Sequence, residues 1–213
     1  MSHLPIDHSD VPIRLFKSGF LEFFSHISPI AVIVIWVPVA IYFMVSAILN
    51  PAGSGFPLYI VFSYVGGLFF WTLAEYLLHR FLFHFPPKTP KMERITFLFH
   101  GIHHAQPQIK TRLVMPPAVS IPLALVFFGL FSLVFGLIFR VPQWVSPIFS
   151  GFITGYLVYD LTHYATHHIP LRSGAAKYIK RYHMMHHYKT PDKRFGVSSP
   201  LWDIIFKTKP EEA

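Results

Sequence analysis

The sequence predicts an all-α integral membrane protein in which four transmembrane helices form two hairpins that carry a helical cap. Three observations predict this fold. The chain is 53% hydrophobic and only 13% charged, whereas about a quarter of the residues of a soluble domain are charged. Its apolar residues are concentrated in four stretches of roughly the 20 residues that a membrane-spanning helix needs. Basic residues and histidines gather at the ends of these stretches, and a length of 213 residues suits a single domain, 1–213.

The four predicted spans come in two closely spaced pairs. We expect them at about 29–49, 58–78, 117–139 and 147–165. The connection within each pair is only a few residues long, the first being NPAGSGFP, so each pair forms a hairpin that returns to its starting side. Pro38 lies inside the first span and is expected to kink it, because proline cannot donate the helical hydrogen bond.

The basic residues predict the orientation of the hairpins. Loops rich in Lys and Arg remain in the cytosol, and all but one of the 18 basic residues lie in 1–28, 79–116 or 166–213. The exception is Arg140. We therefore predict a cytosolic N-terminal segment, 1–28, and a cytosolic cap formed by 79–116 and 166–213. This bias accounts for the net charge of +8, and since no nucleic-acid-binding motif is recognised, we expect no nucleic acid partner.

The cap is expected to contain two short helices. The proline-rich stretch FPPKTP follows the second span and should end its helix. It leads into a predicted helix over about 91–104. A second predicted helix covers about 174–188.

Histidine clusters are the most specific feature of this cap. Eleven of the fourteen histidines fall into four short motifs beside apolar stretches, whereas His3, His8 and His26 are expected to be incidental. Imidazole is the commonest neutral metal ligand in proteins, and the absence of cysteine excludes thiolate ligands. The pattern predicts a metal centre built on the following residues: His79 and His84 in HRFLFH; His100, His103 and His104 in HGIHH; His163, His167 and His168 in HYATHH; and His183, His186 and His187 in HMMHH.

The spacing within each cluster predicts which imidazoles converge. Residues three and four apart share a helix face, so HGIHH, HMMHH and the pair His163/His167 can each direct two or three rings one way. His79 and His84 are five apart, about 140° around an ideal helix. They converge only if the helix ends or distorts between them; otherwise they bind different ions. His168 points about 100° away from His167 and is a candidate either for a ligand or for a residue that supports one.

Two carboxylates, Glu75 and Asp160, lie within or at the edge of predicted spans, where an acid is costly and usually functional. Glu75 precedes His79 by one turn, and Asp160 precedes His163 by three residues. We expect each to accept a hydrogen bond from a ligand imidazole and so fix its orientation. Direct metal ligation is the alternative, and Glu75 could instead pair with Arg80.

The number of imidazoles indicates more than one metal ion. A structural zinc ion needs only four ligands, whereas about ten histidines suit two ions with about five each. Imidazole suits zinc, copper, iron and nickel. Two neighbouring iron ions could share the electrons needed to cleave an O–O bond, and the C–H bonds that an enzyme meets at a membrane surface belong to lipid acyl chains. The residues therefore favour a membrane-bound oxygenase. A metal transporter or metal sensor is the alternative from another class.

The clusters, their order and their spacing closely resemble the fatty acid hydroxylase superfamily, and within it the fatty acid 2-hydroxylases, also called sphingolipid α-hydroxylases. The resemblance covers most of residues 70–206. The matching stretches are EYLLHRFLFH (75–84), FHGIHHAQP (99–107), RLVMPP (112–117), GYLVYDLTHYATHH (155–168), YHMMHH (182–187) and FGVSSPLWDIIF (195–206).

This resemblance implies the ligands, the cofactor and the reaction. All the clustered histidines except His168 would bind two iron ions, which zinc could replace in recombinant protein. The reaction would use O2 and two electrons to hydroxylate carbon 2 of a long acyl chain, free or linked to a ceramide. By their position, Tyr156, Tyr159 and Asp160 are candidates for contacts with the polar end of the substrate. A desaturase or a sterol or carotenoid oxidase with similar histidine motifs is the nearest alternative.

The expected electron donor and location also follow from the resemblance. Many relatives carry an N-terminal cytochrome b5 domain with a His-Pro-Gly-Gly motif, which these 213 residues lack. We therefore expect a separate donor of the cytochrome b5 or ferredoxin type, attracted to the cationic cytosolic face. The protein would lie in the endoplasmic reticulum of a eukaryote or the inner membrane of a bacterium.

Overall fold

The computed structural model describes residues 6–52 and 57–211, and in these ranges all regular secondary structure is helical. His3 and part of the predicted first turn, 53–56, lie outside the described residues. Nine α-helices occur in the described ranges, and four of them continue into or out of π-helical turns. They are α1 (Gly19–Phe24), α2 (Pro29–Leu49), α3 (Leu58–Leu77) with a π-helical turn at Leu78–Phe83, α4 (Pro90–Thr96) leading through a π-helical turn at Phe97–Gly101 into α5 (Ile102–Ala105), α6 (Pro117–Phe131) with a π-helical turn at Ser132–Ile138, α7 (Val145–His168), α8 (Gly174–Tyr188) and α9 (Leu201–Ile205).

The predicted elements agree well with these bounds. Both cap helices are present, the second with the predicted ends and the first as the continuous run from α4 to α5. Pro38 lies inside α2, which continues on both sides of it. Short 3-10 turns at Lys110–Arg112 and Pro142–Trp144, together with α1 and α9, were not predicted.

Three helical stretches of the described chain are long and apolar enough to cross a membrane: Pro29–Leu49, Leu58–Phe83 and Lys110–Ile138. Many of their large apolar side chains are exposed, as expected for surfaces that face lipid; Phe62 and Leu125 are examples. The protein is therefore a membrane protein. The fourth predicted span lies in α7, which has the length, at 24 residues, but is not among the stretches with this apolar character.

The chain divides into two compact units. The first contains the described parts of Met1–Pro29, Thr72–Val114 and Tyr159–Ala213, and the second contains Ile30–Trp71 and Met115–Val158. The helices α3 and α7 are each divided between the two units, α3 after Trp71 and α7 after Val158.

Close helix packing holds the second unit together. A β-carbon at Gly151 on α7 would overlap the backbone carbonyl of Tyr64 on α3, and Gly155 lies against the ring of Trp71 in the same way. The hydroxyl of Ser150 donates to the carbonyl of Ala40 over 2.7 Å. The two glycines of α7 therefore form a packing surface, as small residues four apart do in membrane helices.

The N-terminal segment of the first unit packs against the residues that follow HGIHH. The backbone amide of Asp7 donates to the carbonyl of Ala105 over 2.8 Å. The side-chain oxygen of Gln106 accepts from the amide of Ile13 over 2.9 Å, and its amide nitrogen donates to Asp7. These bonds connect the N-terminal segment directly to the end of α5, where the second histidine cluster lies.

A second set of contacts secures α1. Glu22 pairs with the buried guanidinium of Arg112, which also donates to His26. The other ring nitrogen of His26 lies 2.7 Å from the hydroxyl of Thr111. His26 therefore helps to hold α1 against Thr111 and Arg112.

Candidate metal centre

The structure brings ten histidines of the first unit into two groups of five. In each group, one ring nitrogen per residue lies within 4.8 Å of all the others. Nine of these residues are buried and His167 is half-buried. We call them the first group (His79, His84, His100, His104 and His186) and the second group (His103, His163, His167, His183 and His187).

Two of the sequence clusters supply residues to both groups. HGIHH gives His100 and His104 to the first group and His103 to the second. HMMHH divides in the same manner, with His186 in the first group. Neighbouring imidazoles on α5 and on α8 therefore point to different centres, and these two short helices place the groups beside each other. In agreement with this, the rings of His104 and His187 stack with centroids 4.1 Å apart.

A π-helical turn explains how His79 and His84 come together. A π-helix forms hydrogen bonds between residues five apart, and here the amide of His84 donates to the carbonyl of His79 over 2.9 Å. Residues five apart then lie on one side of the helix, and the ring centroids are 4.8 Å apart. Of the two possibilities that the sequence left open, the helix distorts and both residues enter the same group.

The ring nitrogens face one another at distances that suit a shared cation. The Nε2 atom of His103 lies 2.9 Å from that of His163 and 3.0 Å from that of His187. The Nε2 atom of His183 has similar neighbours in His167 and His187. A neutral imidazole has a single N–H, so these contacts cannot all be hydrogen bonds. Nitrogens bound at about 2 Å to one metal ion would meet at such distances, and the set fits a metal.

The first group has the same character. Nε2 atoms of His79 and His100 lie 3.0 Å apart, as do those of His84 and His186. The Nε2 atom of His104 is buried and has no hydrogen-bond partner among the described residues. A buried ring nitrogen without a partner is costly unless a metal ion binds it.

Burial keeps these imidazoles neutral. Burial and the neighbouring imidazoles of His79 and His167 together lower the pKa of His104 from the usual 6.5 to about 3. Burial, followed by the surrounding imidazoles, likewise holds the pKa of His183 and His187 well below the usual value. The neutral ring is the form that binds metals, so the groups are ready to bind cations at neutral pH.

Backbone carbonyls fix the orientation of two rings in the first group. The Nδ1 atom of His79 lies 2.5 Å from the carbonyl oxygen of Phe195, and that of His186 lies 2.6 Å from the carbonyl oxygen of Lys193. A carbonyl only accepts, so Nδ1 must carry the proton in both rings and Nε2 keeps its lone pair. This is the arrangement in which outer partners orient metal-bound histidines.

Comparison with known proteins decides the family of the chain. The fatty acid hydroxylase family model matches residues 64–208, a range that includes all ten grouped histidines. The chain belongs to the fatty acid hydroxylase family. Members of this family are membrane enzymes that depend on metal.

Several relatives match nearly the whole chain. A dihydroceramide fatty acyl 2-hydroxylase of Arabidopsis thaliana is 38% identical over 208 residues, which are 98% of this chain and 84% of the relative. A ceramide very long chain fatty acid hydroxylase of Saccharomyces cerevisiae is 39% identical over 97% of this chain and 52% of its own length. The fatty acid 2-hydroxylase of Homo sapiens is 36% identical, and the match covers 97% of this chain and 58% of that protein.

The fold is also known from experiment. A solved structure of full-length Scs7p, in which only the hydroxylase domain is visible, has a TM-score of 0.82 and 38% identity to this hydroxylase. It covers 92% of this chain and 72% of that chain.

Glu75 of this hydroxylase has a different role from the one expected. Its Oε1 accepts from the amides of Val197 and Ser198 over 2.6 and 2.8 Å, and its Oε2 accepts from the Ser198 hydroxyl. Its partners include neither an imidazole nor Arg80, which donates instead to the hydroxyl of Tyr76. The expected contact is corrected because the segment 195–199 lies against Glu75 and supplies three donors there. Glu75 therefore binds Val197 and Ser198, in the same segment whose Phe195 carbonyl contacts Nδ1 of His79.

The remaining sequence candidates lie apart from the two groups. His168 belongs to neither group, and its ring lies 4.8 Å from that of Tyr164. Asp160 is buried on α7, one turn before His163, and is not in either group. The ring of Tyr159 lies 5.8 Å from that of His163.

Tyr156 belongs to the second unit. It lines a small apolar cavity together with Trp36, Trp71 and Ser120. Its ring meets those of Trp36 and Trp71 edge to face, at 5.6 and 5.3 Å.

Sequence reasoning missed Asp203, which is fully buried on α9 and accepts hydrogen bonds from the segment beside His79. The stretch FGVSSPLWDIIF that contains it was recognised only by resemblance. A single acid in a short apolar helix gives no periodic signal, so its partners become visible only in the folded chain.

Proposed function

We propose that this hydroxylase inserts one oxygen atom at carbon 2 of a long-chain fatty acyl group, either free or linked to a ceramide or another sphingolipid. The observation that carries this proposal is the pair of five-imidazole groups in a chain whose relatives are named fatty acyl 2-hydroxylases. The overall reaction would consume O2, two electrons and two protons, and would release water. We treat residues 1–213 as a single domain for this activity.

The ten grouped histidines are proposed to hold two iron ions, one in each group. All-nitrogen, neutral and buried ligands suit iron, but they suit zinc as well. Zinc in recombinant protein would fill the groups without supporting the reaction. When bound, the iron pair supplies the redox chemistry that activates O2. His168, Asp160 and Glu75 are proposed to support the ligands, and the contacts of Glu75 favour an indirect role.

The residues of the chain prepare the site for this chemistry. The carbonyls of Lys193 and Phe195 keep the protons of His186 and His79 on Nδ1, so Nε2 faces the metal. Burial excludes water from the rings, which limits side reactions of a strong oxidant. Tyr156, Tyr159 and Asp160 remain our candidates for substrate contacts. The first lines a small apolar cavity.

We further propose four membrane spans, with α7 as the fourth, and place both termini and the metal centre in the cytosol. The distribution of Lys and Arg supports this orientation. Electrons would come from a separate donor of the cytochrome b5 or ferredoxin type. The location would be the endoplasmic reticulum in a eukaryote or the inner membrane in a bacterium.

The proposed activity is tested by incubating the purified, iron-loaded protein with a saturated acyl substrate, O2 and a reductant. Ceramide and free fatty acid are supplied in parallel, and the products are identified by mass spectrometry. A 2-hydroxy product supports the proposal, whereas an alkene would indicate a desaturase. An oxidised ring from a sterol or carotenoid would indicate the other alternative.

Zinc-loaded protein serves as the control, because zinc has no redox chemistry and should give no product. A metal transporter, the alternative from another class, would move metal into vesicles without any oxygenated lipid. Transporters bind their ions near the bilayer midplane, whereas seven of the ten grouped histidines lie outside the three apolar stretches and α7. This placement favours the enzyme.

A further inference from the structure

We infer that Asp203 is a positioning residue for His79. It acts through the peptide group between Phe195 and Gly196, whose N–H donates to Asp203 and whose carbonyl contacts His79. The inference rests on the proposed metal centre but not on the proposed reaction. It concerns the first group and its metal, and predicts that the two metal ions are held by unequal means.

The connection runs through the peptide between Phe195 and Gly196. The carbonyl of Phe195 lies 2.5 Å from Nδ1 of His79, and the amide of Gly196, which belongs to the same peptide group, donates to Oδ2 of Asp203 over 2.7 Å. A peptide group is planar and trans, so its N–H and C=O point in opposite directions. Holding the N–H end therefore fixes the direction of the carbonyl, and with it the plane and the tautomer of the imidazole.

Asp203 is itself firmly held. Its side chain is fully buried, and Oδ1 accepts from the amide of Phe195 over 2.9 Å and from the hydroxyl of Thr208 over 2.6 Å. The Thr208 hydroxyl also lies 3.0 Å from the phenol of Tyr76 on α3. A carboxylate with three donors is strongly bound, and a charged acceptor polarises the peptide so that its carbonyl accepts more strongly.

The peptide that Asp203 binds is packed closely enough against the carbonyl of Ser199 to require glycine at position 196. A β-carbon at Gly196 would overlap the carbonyl oxygen of Ser199 and lie 3.0 Å from Oδ2 of Asp203. The backbone at this position is thus enclosed by the carboxylate on one side and the next turn on the other. Little room remains for the peptide to rotate.

Capping of α9 is a poor explanation for Asp203. An acid in the first turn of a helix ordinarily serves the exposed amides of that helix. Here the carboxylate oxygens accept instead from Phe195, Gly196 and Thr208. The side chain therefore binds the segment before α9, at Phe195 and Gly196, and Thr208 after it.

The contacts described for Asp203 lead to His79 in the first group. Other rings are less supported: the Nδ1 atoms of His183 and His187 in the second group, and of His84 in the first, are buried and have no hydrogen-bond partner among the described residues. Loss of an outer partner typically lowers metal affinity about 10- to 100-fold. Weakening Asp203 should therefore affect the ion in the first group and leave the ion in the second group unchanged.

The test measures metal release from the zinc-loaded protein, in detergent, after a chelator is added. Asp203→Asn retains the shape but replaces one acceptor by a donor that faces an N–H. We expect one of the two ions to leave about 10- to 100-fold faster than in the unmodified protein, and the other at the unmodified rate. Asp192→Asn, an exposed acid in the same region, should release both ions at the unmodified rates.

The released ion is assigned with ligand variants. His79→Gln should accelerate loss of the same ion as Asp203→Asn, and His167→Gln loss of the other. Equal acceleration of both ions would indicate a general structural role and overturn the inference, as would unchanged release of both. If Asp203→Asn does not fold, Asp203→Glu replaces it in the test, because this variant retains the charge and moves it by one methylene group. Faster release of one ion alone then supports the inference, and equal or unchanged release of both overturns it.

The two proposals fail separately. Absence of a 2-hydroxy product from iron-loaded, unmodified protein would overturn the proposed function but leave the effect of Asp203 on metal release intact. Conversely, a normal product with uniform metal release would overturn only the role of Asp203.

Discussion

His79 and His84 lie five residues apart, yet their ring centroids are 4.8 Å apart and both belong to the first histidine group. The π-helical turn at Leu78–Phe83 produces this relationship, because its hydrogen bonds join residues five apart. Short π-helical turns often occur at functional sites. The turn here gives the end of α3 two imidazoles for one group, where an ideal α-helix would direct them to different sides.

The first prediction concerns His84 as a proposed metal ligand. Replacing it with alanine removes one of five imidazoles and leaves the Nε2 of His186 without its 3.0 Å neighbour. We expect the metal content to fall from about two ions per chain toward one, and 2-hydroxylation to fall at least about 100-fold. Elemental analysis of the purified protein and product measurement by mass spectrometry check both effects.

His8 provides the matched control for this variant. It is also a histidine, but it is exposed and lies outside both groups. His8→Ala should retain both ions. Equal loss of metal in the two variants would contradict the division into groups.

The spacing of histidines predicted much of this site, and its limits are physical. Residues three and four apart share a helix face, and this rule holds for the pairs four apart: His100/His104, His163/His167 and His183/His187 each enter one group. It fails for the pairs three apart, since His100/His103 and His183/His186 divide between the groups. Spacing could not assign them to centres. His103 and His104 are adjacent but enter different groups, because the choice depends on how the short helices pack against each other.

The supporting contacts were harder to predict than the ligands. Glu75 was identified because burying an acid inside an apolar stretch costs free energy. Its partners Val197 and Ser198 could not be predicted, since they lie more than a hundred residues away in the chain. Asp203 was not identified, since a short irregular segment has no periodicity that predicts which side chain it contacts. Hydrophobic runs, in contrast, predicted three spans within a few residues because a membrane demands length and apolarity alone.

The second prediction concerns the stability that Glu75 provides. Its carboxylate accepts from three donors of the segment 197–198, two of them backbone amides. Glu75→Gln replaces one acceptor by an NH2 group, which leaves a buried donor without a partner at a cost of about 1–3 kcal/mol. We expect a lower thermal midpoint in detergent, and unfolding is measured by intrinsic fluorescence. Glu93→Gln, at an exposed site on α4, should leave the midpoint within error, and a similar fall in both variants would exclude this explanation.

The third prediction tests the packing surface of α7. Gly151 lies so close to the carbonyl of Tyr64 that an added β-carbon would require the helices to move. Gly151→Ala should destabilise the protein by about 1–3 kcal/mol, the usual cost of overpacking. The same change at Gly129, where a β-carbon would meet nothing within 4 Å, should have little effect on the thermal midpoint. Equal midpoints for the two variants would show that the helices can separate at no cost.

The fourth prediction is a loss of metal and of stability in acid. Burial lowers the pKa of His104 from 6.5 to about 3 in the folded protein, while the unfolded chain retains the ordinary value. Below pH 6.5 the unfolded chain binds a proton that the folded site does not, so stability falls as the pH decreases. The contribution is fully present above pH 6.5 and is lost progressively toward about pH 3. Metal binding should weaken in the same window, because protons compete for the ligand nitrogen.

The measurement is the thermal midpoint of the metal-free protein between about pH 8 and 5, a window that brackets the ordinary histidine pKa of about 6.5. Metal retention is measured over the same window on a separate, metal-loaded sample. His104→Gln cannot bind the proton and should show a shallower fall. Burial raises the pKa of Glu22, but the amides of Phe16 and Leu15, together with Arg112 and His26, outweigh it and leave the pKa below 4.5. Its contribution is therefore lost only below that pH, outside the tested range. A midpoint and metal content that stay constant down to the lower limit would contradict the assignment of the buried rings as neutral ligands.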